Sequence, residues 1–184
     1  MASKGLTFLE LLITLVIAAI VLSAALPGFQ HLYQRHIVTS AQHRLLTSLH
    51  HARSEAVQRR RPVMVCQGRP ADGCDKGNAW HEGWFSARMP RGVHDCQDAD
   101  GDNECDTNDG TIISRQPGLP DGITIRGNGK WLISRIRFNP AGMAEGYAGT
   151  LSICPNYQED ITGSGIVINI SGRLRKAEAS DLNC

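Results

Sequence analysis

The sequence predicts an α+β protein in which one long N-terminal helix packs on an antiparallel β-sheet head. Three observations support this: an apolar run near the N-terminus, a helical stripe of apolar residues behind it, and short β-type runs in the remainder. At 184 residues the chain has the length of one domain plus, at most, an appendage.

The apolar run covers residues 6–26 and is long enough to cross a bilayer, since a span needs about 20 apolar residues. Two interpretations are open: a secretory signal cut after the small residues before Leu26, or a transmembrane helix retained in the mature protein. Glu10 disfavours the signal and also a plain lipid anchor, because a carboxylate inside a membrane costs about 2.5–3.5 kcal/mol. Either this carboxylate has a partner, or it lies close enough to the interface to stay hydrated.

A second helical pattern follows in residues 27–58, after a candidate kink at Pro27 and Gly28. Its apolar residues recur at spacings of three and four, as on one helix face: Val38, Ala41, Leu45, Leu49, Ala52 and Ala56. Consecutive arginines and Pro62 end the pattern. We therefore expect one helix of about 80 Å from Leu6 to about Gln58, whose rear half packs on the head.

The head, residues 59–184, contains eight β-type runs separated by clusters of Gly, Pro, Asn and Asp. The runs are 63–66, 83–89, 111–115, 122–127, 131–138, 150–155, 165–170 and 172–178. We expect them to pair as an antiparallel sheet.

The six cysteines include no CxxC pair, which favours disulfides and an oxidising compartment over a metal site. Six cysteines allow 15 pairings. Short local loops favour Cys66–Cys74 and Cys96–Cys105, which leaves Cys154–Cys184.

Charge is segregated along the chain. Residues 95–109 hold seven of the 18 acidic residues and no basic one, so 11 acids face 19 bases elsewhere. The basic body either faces an anionic partner or is a solvated surface.

Within the acidic segment, oxygen ligands alternate as in a calcium loop, at Asp98, Asp100, Asp102, Glu104 and Asp106. Gly101 stands fourth rather than sixth, so we favour an acidic hairpin tip closed by Cys96–Cys105, with no metal.

The segment GLTFLELL, residues 5–12, resembles the type IV prepilin signal. The resemblance implies that prepilin peptidase removes the leader 1–5 after Gly5 and methylates the new amino group of Leu6. Glu10 would then be the fifth mature residue, paired with the N-terminal amine of a neighbouring subunit. Leu6 departs from the more usual Phe or Met.

The head resembles the GspH/FimT/FimU minor pilins and pseudopilins along nearly its whole length. The matching segments are 46–66, 79–89, 136–146, 151–155 and 166–177. The resemblance implies the type IV pilin fold and a subunit of a type IV pilus or type II secretion pseudopilus. It also implies a single pass through the inner membrane, with the N-terminus cytoplasmic and the head periplasmic, and exposure at the cell surface once assembled in the filament.

Paired arginines are candidate phosphate ligands. Strand geometry predicts that Arg173 and Arg175 share one face, and Arg135 and Arg137 repeat this spacing. DNA-binding FimT proteins carry a similar GRxR motif, which implies a role for Gly172, Arg173 and Arg175, with Lys176 as a neighbour. Binding of double-stranded DNA during natural transformation is thus the alternative function. The competing interpretation is that the motif only terminates a strand.

We expect no catalysis and no cofactor. His94, Asp95 and Cys96 are adjacent in sequence, whereas the members of a catalytic triad converge from separate elements. The chain contains no GxSxG or HExxH motif. His36, His43 and His50 recur every seven residues, about 10.5 Å apart along a helix, which is too far apart to share an ion.

Overall fold

The computed structural model describes residues 7–74, 79–129, 132–156 and 162–184, without the side chains of residues 24–28, 30 and 31. The chain divides into two units, Met1–His36 and Ile37–Cys184. Helix α1 runs from Phe8 to Arg59 and contributes to both. The predicted leader 1–5 and Leu6 lie outside the described residues.

In the first unit, Thr7 immediately precedes helix α1 and caps its N-terminus. Its side-chain oxygen accepts a hydrogen bond from the Glu10 amide at 3.3 Å, and its carbonyl accepts one from the Leu11 amide at 3.2 Å. Large apolar side chains from Phe8 to Leu22 are 44–77% exposed. Within the described part of the chain, we find no helix with the length and apolarity that a membrane crossing requires. The predicted span 6–26 includes Leu6 and the side chains of 24–26, which are not described.

In the second unit, the helical stripe predicted from the sequence is buried, as expected. All six stripe residues, from Val38 to Ala56, are 3% exposed or less and belong to one apolar core. The helix ends at Arg59, one residue beyond the predicted end. The spacing of apolar residues in the sequence was therefore enough to identify the helix face that packs against the head.

Eight strands follow in the described part of the head, and each overlaps one of the predicted runs. They are β1 Val63–Gln67, β2 Gly83–Arg88, β3 Thr111–Pro117, β4 Ile123–Asn128, β5 Arg135–Phe138, β6 Gly149–Pro155, β7 Ser164–Ile168 and β8 Leu174–Lys176. They form two four-stranded antiparallel sheets rather than one, in the orders β3-β2-β1-β5 and β4-β6-β7-β8. Local sequence patterns do not encode which strands pair, so the division into two sheets was not predicted.

The main core lies between helix α1 and both sheets. One face of the first sheet contributes Val63, Val65, Ile136 and Phe138, and the second sheet contributes Ile123, Ile125, Leu151, Ile153, Ile166 and Ile168. The opposite face of the first sheet carries a second core of Met64, Cys66, Phe85, Ala87, Met89 and Ile112, with Cys74, Cys96 and Cys105 from the covering loops. The two central strands of the first sheet, β1 and β2, are thus buried on both faces.

All six cysteines are paired, as Cys66–Cys74, Cys96–Cys105 and Cys154–Cys184. These are the bridges that the sequence analysis favours. The first two bridges close the short loops that cover the second core. The third joins the C-terminal tail to β6, where the Asn183 amide also donates to the Ser152 hydroxyl at 2.9 Å. The tail therefore packs against the outer face of the second sheet.

Candidate functional site

Glu10 lies exposed in the first turn of helix α1, among exposed apolar side chains. It forms no ion pair with any described residue of its own chain. The residues Thr7 to Glu10 follow the S/T-x-x-E pattern of a capping box, and the Thr7 hydroxyl accepts the Glu10 amide in this way. The sequence analysis missed this local role, although the pattern is visible in the sequence. The capping contact uses the Glu10 backbone and leaves its carboxylate available.

The GRLR segment begins in a turn, not in a strand. The Gly172 amide donates to the Asn169 carbonyl at 2.7 Å, and the Asn169 amide donates to the Arg173 carbonyl at 3.0 Å. Strand β8 starts at Leu174, so Arg173 precedes it. Of the two arginines expected to share a strand face, Arg175 lies in β8 and Arg173 lies in the turn that precedes it.

Gly172 has a packing role of its own. Its φ is +73°, and a Cβ added there would lie 1.8 Å from the Gly142 carbonyl oxygen. Arg53, on helix α1, donates through Nε to that same oxygen at 3.0 Å and through Nη2 to the Ser171 carbonyl at 3.4 Å. The glycine of the motif thus permits two turns and a helix side chain to meet.

Arg175 has a partner within the chain. Its Nη1 lies 2.8 Å from Asp181 Oδ2 and donates to the Lys176 carbonyl at 3.1 Å. The hydrogen bond from Arg175, with one from the Glu178 amide, lowers the pKa of Asp181. Arg173 and Lys176 are exposed and form no ion pair with other described residues. Of the motif's cations, Arg175 is the one that stabilises the tail.

Arg135 and Arg137 lie on the same face of β5, as predicted, but Arg135 is only 7% exposed. Its Nη1 donates to the His94 carbonyl, and Arg137 Nη1 lies 3.1 Å from His94 Nδ1. Desolvation lowers the pKa of His94, and the positive charges of Arg137 and Arg135 lower it further. Arg135 is therefore corrected from an exposed phosphate ligand to a buried cation, because the segment around His94 covers it. No local sequence signal reports such long-range cover.

The acidic loop is organised around Asp98, which is 2% exposed. Its carboxylate accepts the Gly101 amide at 2.7 Å and the Asn103 amide at 3.2 Å, and it also forms an ion pair with Arg115. Carboxylate oxygens of Asp98, Asp100 and Asp106 lie within 4.8 Å of one another. Because Arg115 and two amides already use the Asp98 oxygens, the geometry favours an acidic tip closed by Cys96–Cys105. Arg115 was not anticipated from the sequence.

Comparisons with known proteins identify the family. The family profile described as "Type II transport protein GspH" matches residues 41–172, and the profile of the prokaryotic N-terminal methylation motif matches residues 1–26. The chain belongs to the GspH family. It is therefore a minor pilin or pseudopilin subunit of the type IV pilus or type II secretion class, and not an enzyme.

Solved structures place the GspH-family chain in the pilin fold. The type IV minor pilin FimU of Pseudomonas aeruginosa matches with a TM-score of 0.54 and 20% identity, over 79% of this chain and 92% of FimU. A second crystal form of FimU matches with a TM-score of 0.50 and 21% identity, over 77% of this chain and 94% of FimU. No curated protein sequence gives a significant match. At these identities the likeness establishes the fold, which is the type IV pilin fold expected from the sequence.

Proposed function

We propose that the chain is a prepilin, cleaved after Gly5 and methylated on Leu6, and that Glu10 docks the mature subunit into a filament. The main support for this proposal is that the Glu10 carboxylate is exposed on an apolar helix and has no ion-pair partner among the described residues of its own chain. The N-terminal amine of a neighbouring subunit supplies the missing positive charge. A buried unpaired charge is costly. Pairing the Glu10 carboxylate with the amine therefore attracts the two subunits and also fixes the position of one relative to the other.

Before assembly the subunit is stored in the inner membrane, with residues 6–26 as a single-pass helix. Its N-terminus is cytoplasmic and its head periplasmic. The exposed apolar side chains from Phe8 to Leu22 support contact with lipid, and the three disulfides support an oxidising compartment for the head. Prepilin peptidase and other pilins or pseudopilins are the protein partners, and assembly carries the head to the cell surface.

Intact-mass and N-terminal peptide analysis test the processing step, on chain expressed with and without a prepilin peptidase. We expect a methylated mature N-terminus at Leu6 that appears only with the peptidase. Gly5→Val should block cleavage, and Leu6→Phe, which introduces the more usual residue, should be cleaved normally. A mature chain that begins at Leu26 would instead establish a secretory signal.

Docking is tested separately with Glu10→Gln, which removes the charge and keeps the shape. Cleavage should continue in this variant, and its recovery in sheared filaments should fall strongly. Normal recovery of Glu10→Gln in filaments would remove Glu10 from the assembly contact without affecting the processing result.

A second candidate function is DNA binding during uptake. Arg173 and Lys176 support it, since both are exposed cations outside any ion pair of the described residues. Arg175 is an additional cation, with 45% of its side chain exposed, but it must divide its donors between a phosphate and Asp181. Double-stranded DNA would be held through its phosphates, without base readout.

A further inference from the structure

A pocket of about 620 Å³ lies beside strand β5, away from the GRLR turn in sequence. Its polar wall contains Arg91, His94, Arg135 and Arg137. Its apolar wall contains Pro62, Pro140, Met143 and Tyr147. Nothing in the proposed processing, docking or DNA contacts uses this combination of walls.

The pocket is cationic. Three guanidinium groups line it against one carboxylate, that of Glu145. Arg91 and Arg137 form no ion pair with the described residues, and Arg137 Nη1 lies 3.1 Å from Nδ1 of the His94 ring. Because two of the arginines lower the pKa of His94, the ring already experiences the positive field of the site. An anion entering the pocket would relieve like-charge repulsion as well as gain hydrogen bonds.

We propose that this pocket binds a carboxylate of an acidic peptide segment on a partner protein. A guanidinium fork matches the two oxygens of a carboxylate, and hydrogen bonds between such charged groups are about twice as strong as neutral ones. The prolines and Met143 provide an apolar wall for the peptide's neighbouring carbons. The site goes beyond the proposed function and does not rest on it.

The shape of the pocket favours a peptide over duplex DNA. Arg135 is 7% exposed and sits behind the backbone of His94, whereas duplex phosphates are fixed on a broad cylinder. A side-chain or terminal carboxylate on a flexible peptide can enter a recess that a duplex cannot.

Proton uptake should accompany binding. The charged or titratable groups that line the pocket with His94 are Arg91, Arg135, Arg137, Glu145 and Tyr147. Adding a carboxylate raises the pKa of His94 from its lowered value, because it offsets the repulsion from the arginines. Affinity should therefore increase as the pH falls through the interval between the free and bound pKa values of His94.

The test is fluorescence anisotropy of the detergent-solubilised full chain with two labelled, capped peptides, hexaglutamate and hexaglutamine. We expect hexaglutamate to bind and hexaglutamine to bind at least tenfold more weakly. Arg91→Gln with Arg137→Gln should weaken hexaglutamate binding at least tenfold. The matched control, Arg69→Gln with Arg126→Gln, removes the same charge from exposed positions outside the pocket and should change hexaglutamate binding less than threefold.

A second readout keeps the location testable if the pocket variant folds poorly. Histidine-selective NMR on the wild-type chain, with His94→Gln for assignment, should show the His94 ring shift and its pKa rise when hexaglutamate is added. Equal weakening by the control pair, or binding that leaves the His94 signal unmoved, would overturn the proposal. Competition by a short DNA duplex that is lost in the pocket variant would reassign the site to nucleic acid.

Discussion

Gly172 and Gly142 approach so closely that a single added methyl group cannot be placed between them. The position of a Cβ on Gly172 is 1.8 Å from the Gly142 carbonyl oxygen, which also accepts a hydrogen bond from Arg53. The glycine of the GRLR segment is thus required by the packing of the head, whatever the arginines bind. Loss of function on replacing this glycine would not by itself be evidence of a ligand contact.

Gly172→Ala should destabilise the head by about 2–5 kcal/mol. A left-handed φ costs a residue with a Cβ about 1–2 kcal/mol, and overpacking adds about 1–3 kcal/mol. Gly92→Ala is the matched control, since its φ is +81° but its added Cβ meets nothing within 4 Å. Gly92→Ala should lose only the roughly 1–2 kcal/mol of stability that the left-handed backbone conformation costs. Urea unfolding of both variants measures the difference, and equal losses would contradict the packing argument.

The Arg175–Asp181 pair should make stability depend on pH at acidic values. Hydrogen bonds from Arg175 and from the Glu178 amide hold the pKa of Asp181 below its ordinary value. A depressed carboxyl pKa stabilises the fold above the unfolded pKa, and this stabilisation disappears as the pH falls through the folded pKa. In Arg175→Gln the Asp181 pKa should rise toward normal. Carboxyl NMR titration measures it directly, and an unchanged Asp181 pKa would show that the pair does not form in solution.

Thermal unfolding provides an independent check on that pair. The midpoints of the wild type and Arg175→Gln should differ at neutral pH and converge below the folded pKa of Asp181. Glu55, whose pKa is lowered by Arg88 and Arg59 against the opposing effect of its burial, contributes equally to both chains and cancels in the comparison.

If DNA binds the GRLR segment, affinity should fall steeply with salt and should not depend on sequence. Arg173→Gln with Arg175→Gln should reduce the slope of log affinity against log salt by roughly two contacts, at about 0.9 each for B-DNA. Asp181→Asn should strengthen binding, because it releases Arg175 from its ion pair. Anisotropy titrations of labelled duplex at several salt concentrations measure both effects.

The control for the DNA experiment is Asp100→Asn with Asp102→Asn, which neutralises two exposed acidic residues and keeps their oxygen acceptors. Binding should be equal or stronger, since repulsion is removed. Absence of wild-type binding at low salt, or unaltered binding by the double arginine variant, would leave only the assembly role.

Asp98→Asn should destabilise the acidic loop by about 1–3 kcal/mol, because a buried charged acceptor of Arg115 is lost. Asp100→Asn, at an exposed position of the same loop, should stay within about 0.5 kcal/mol of the wild type. Denaturant unfolding measures both. A rise in the wild-type melting temperature with calcium, abolished by Asp98→Asn, would instead support the calcium-loop interpretation.

The sequence was most informative where a pattern is local. The helical stripe from Val38 to Ala56 and all eight strands follow from the period of apolar residues, and short spacing favoured the bridges that the structure contains. The sequence could not show the two-sheet division, the turn that places Arg173 outside β8, or the cover over Arg135. The sheet division and the cover depend on contacts between segments far apart in the chain, such as His94 and Arg135, which are 41 positions apart. The Glu10 assignment depended instead on a family signal that the structure of one chain does not test.

On the proposed topology, with the head exported to the periplasm N-terminus first, the Cys154–Cys184 bridge also sets an order of events. Cys66–Cys74 and Cys96–Cys105 join residues eight and nine positions apart, so oxidation can begin while the rest of the polypeptide is still in transit. The last bridge spans 30 positions and needs β6, β7 and β8 to have arrived. A free thiol at Cys154 would therefore mark a head whose export has not yet reached Cys184.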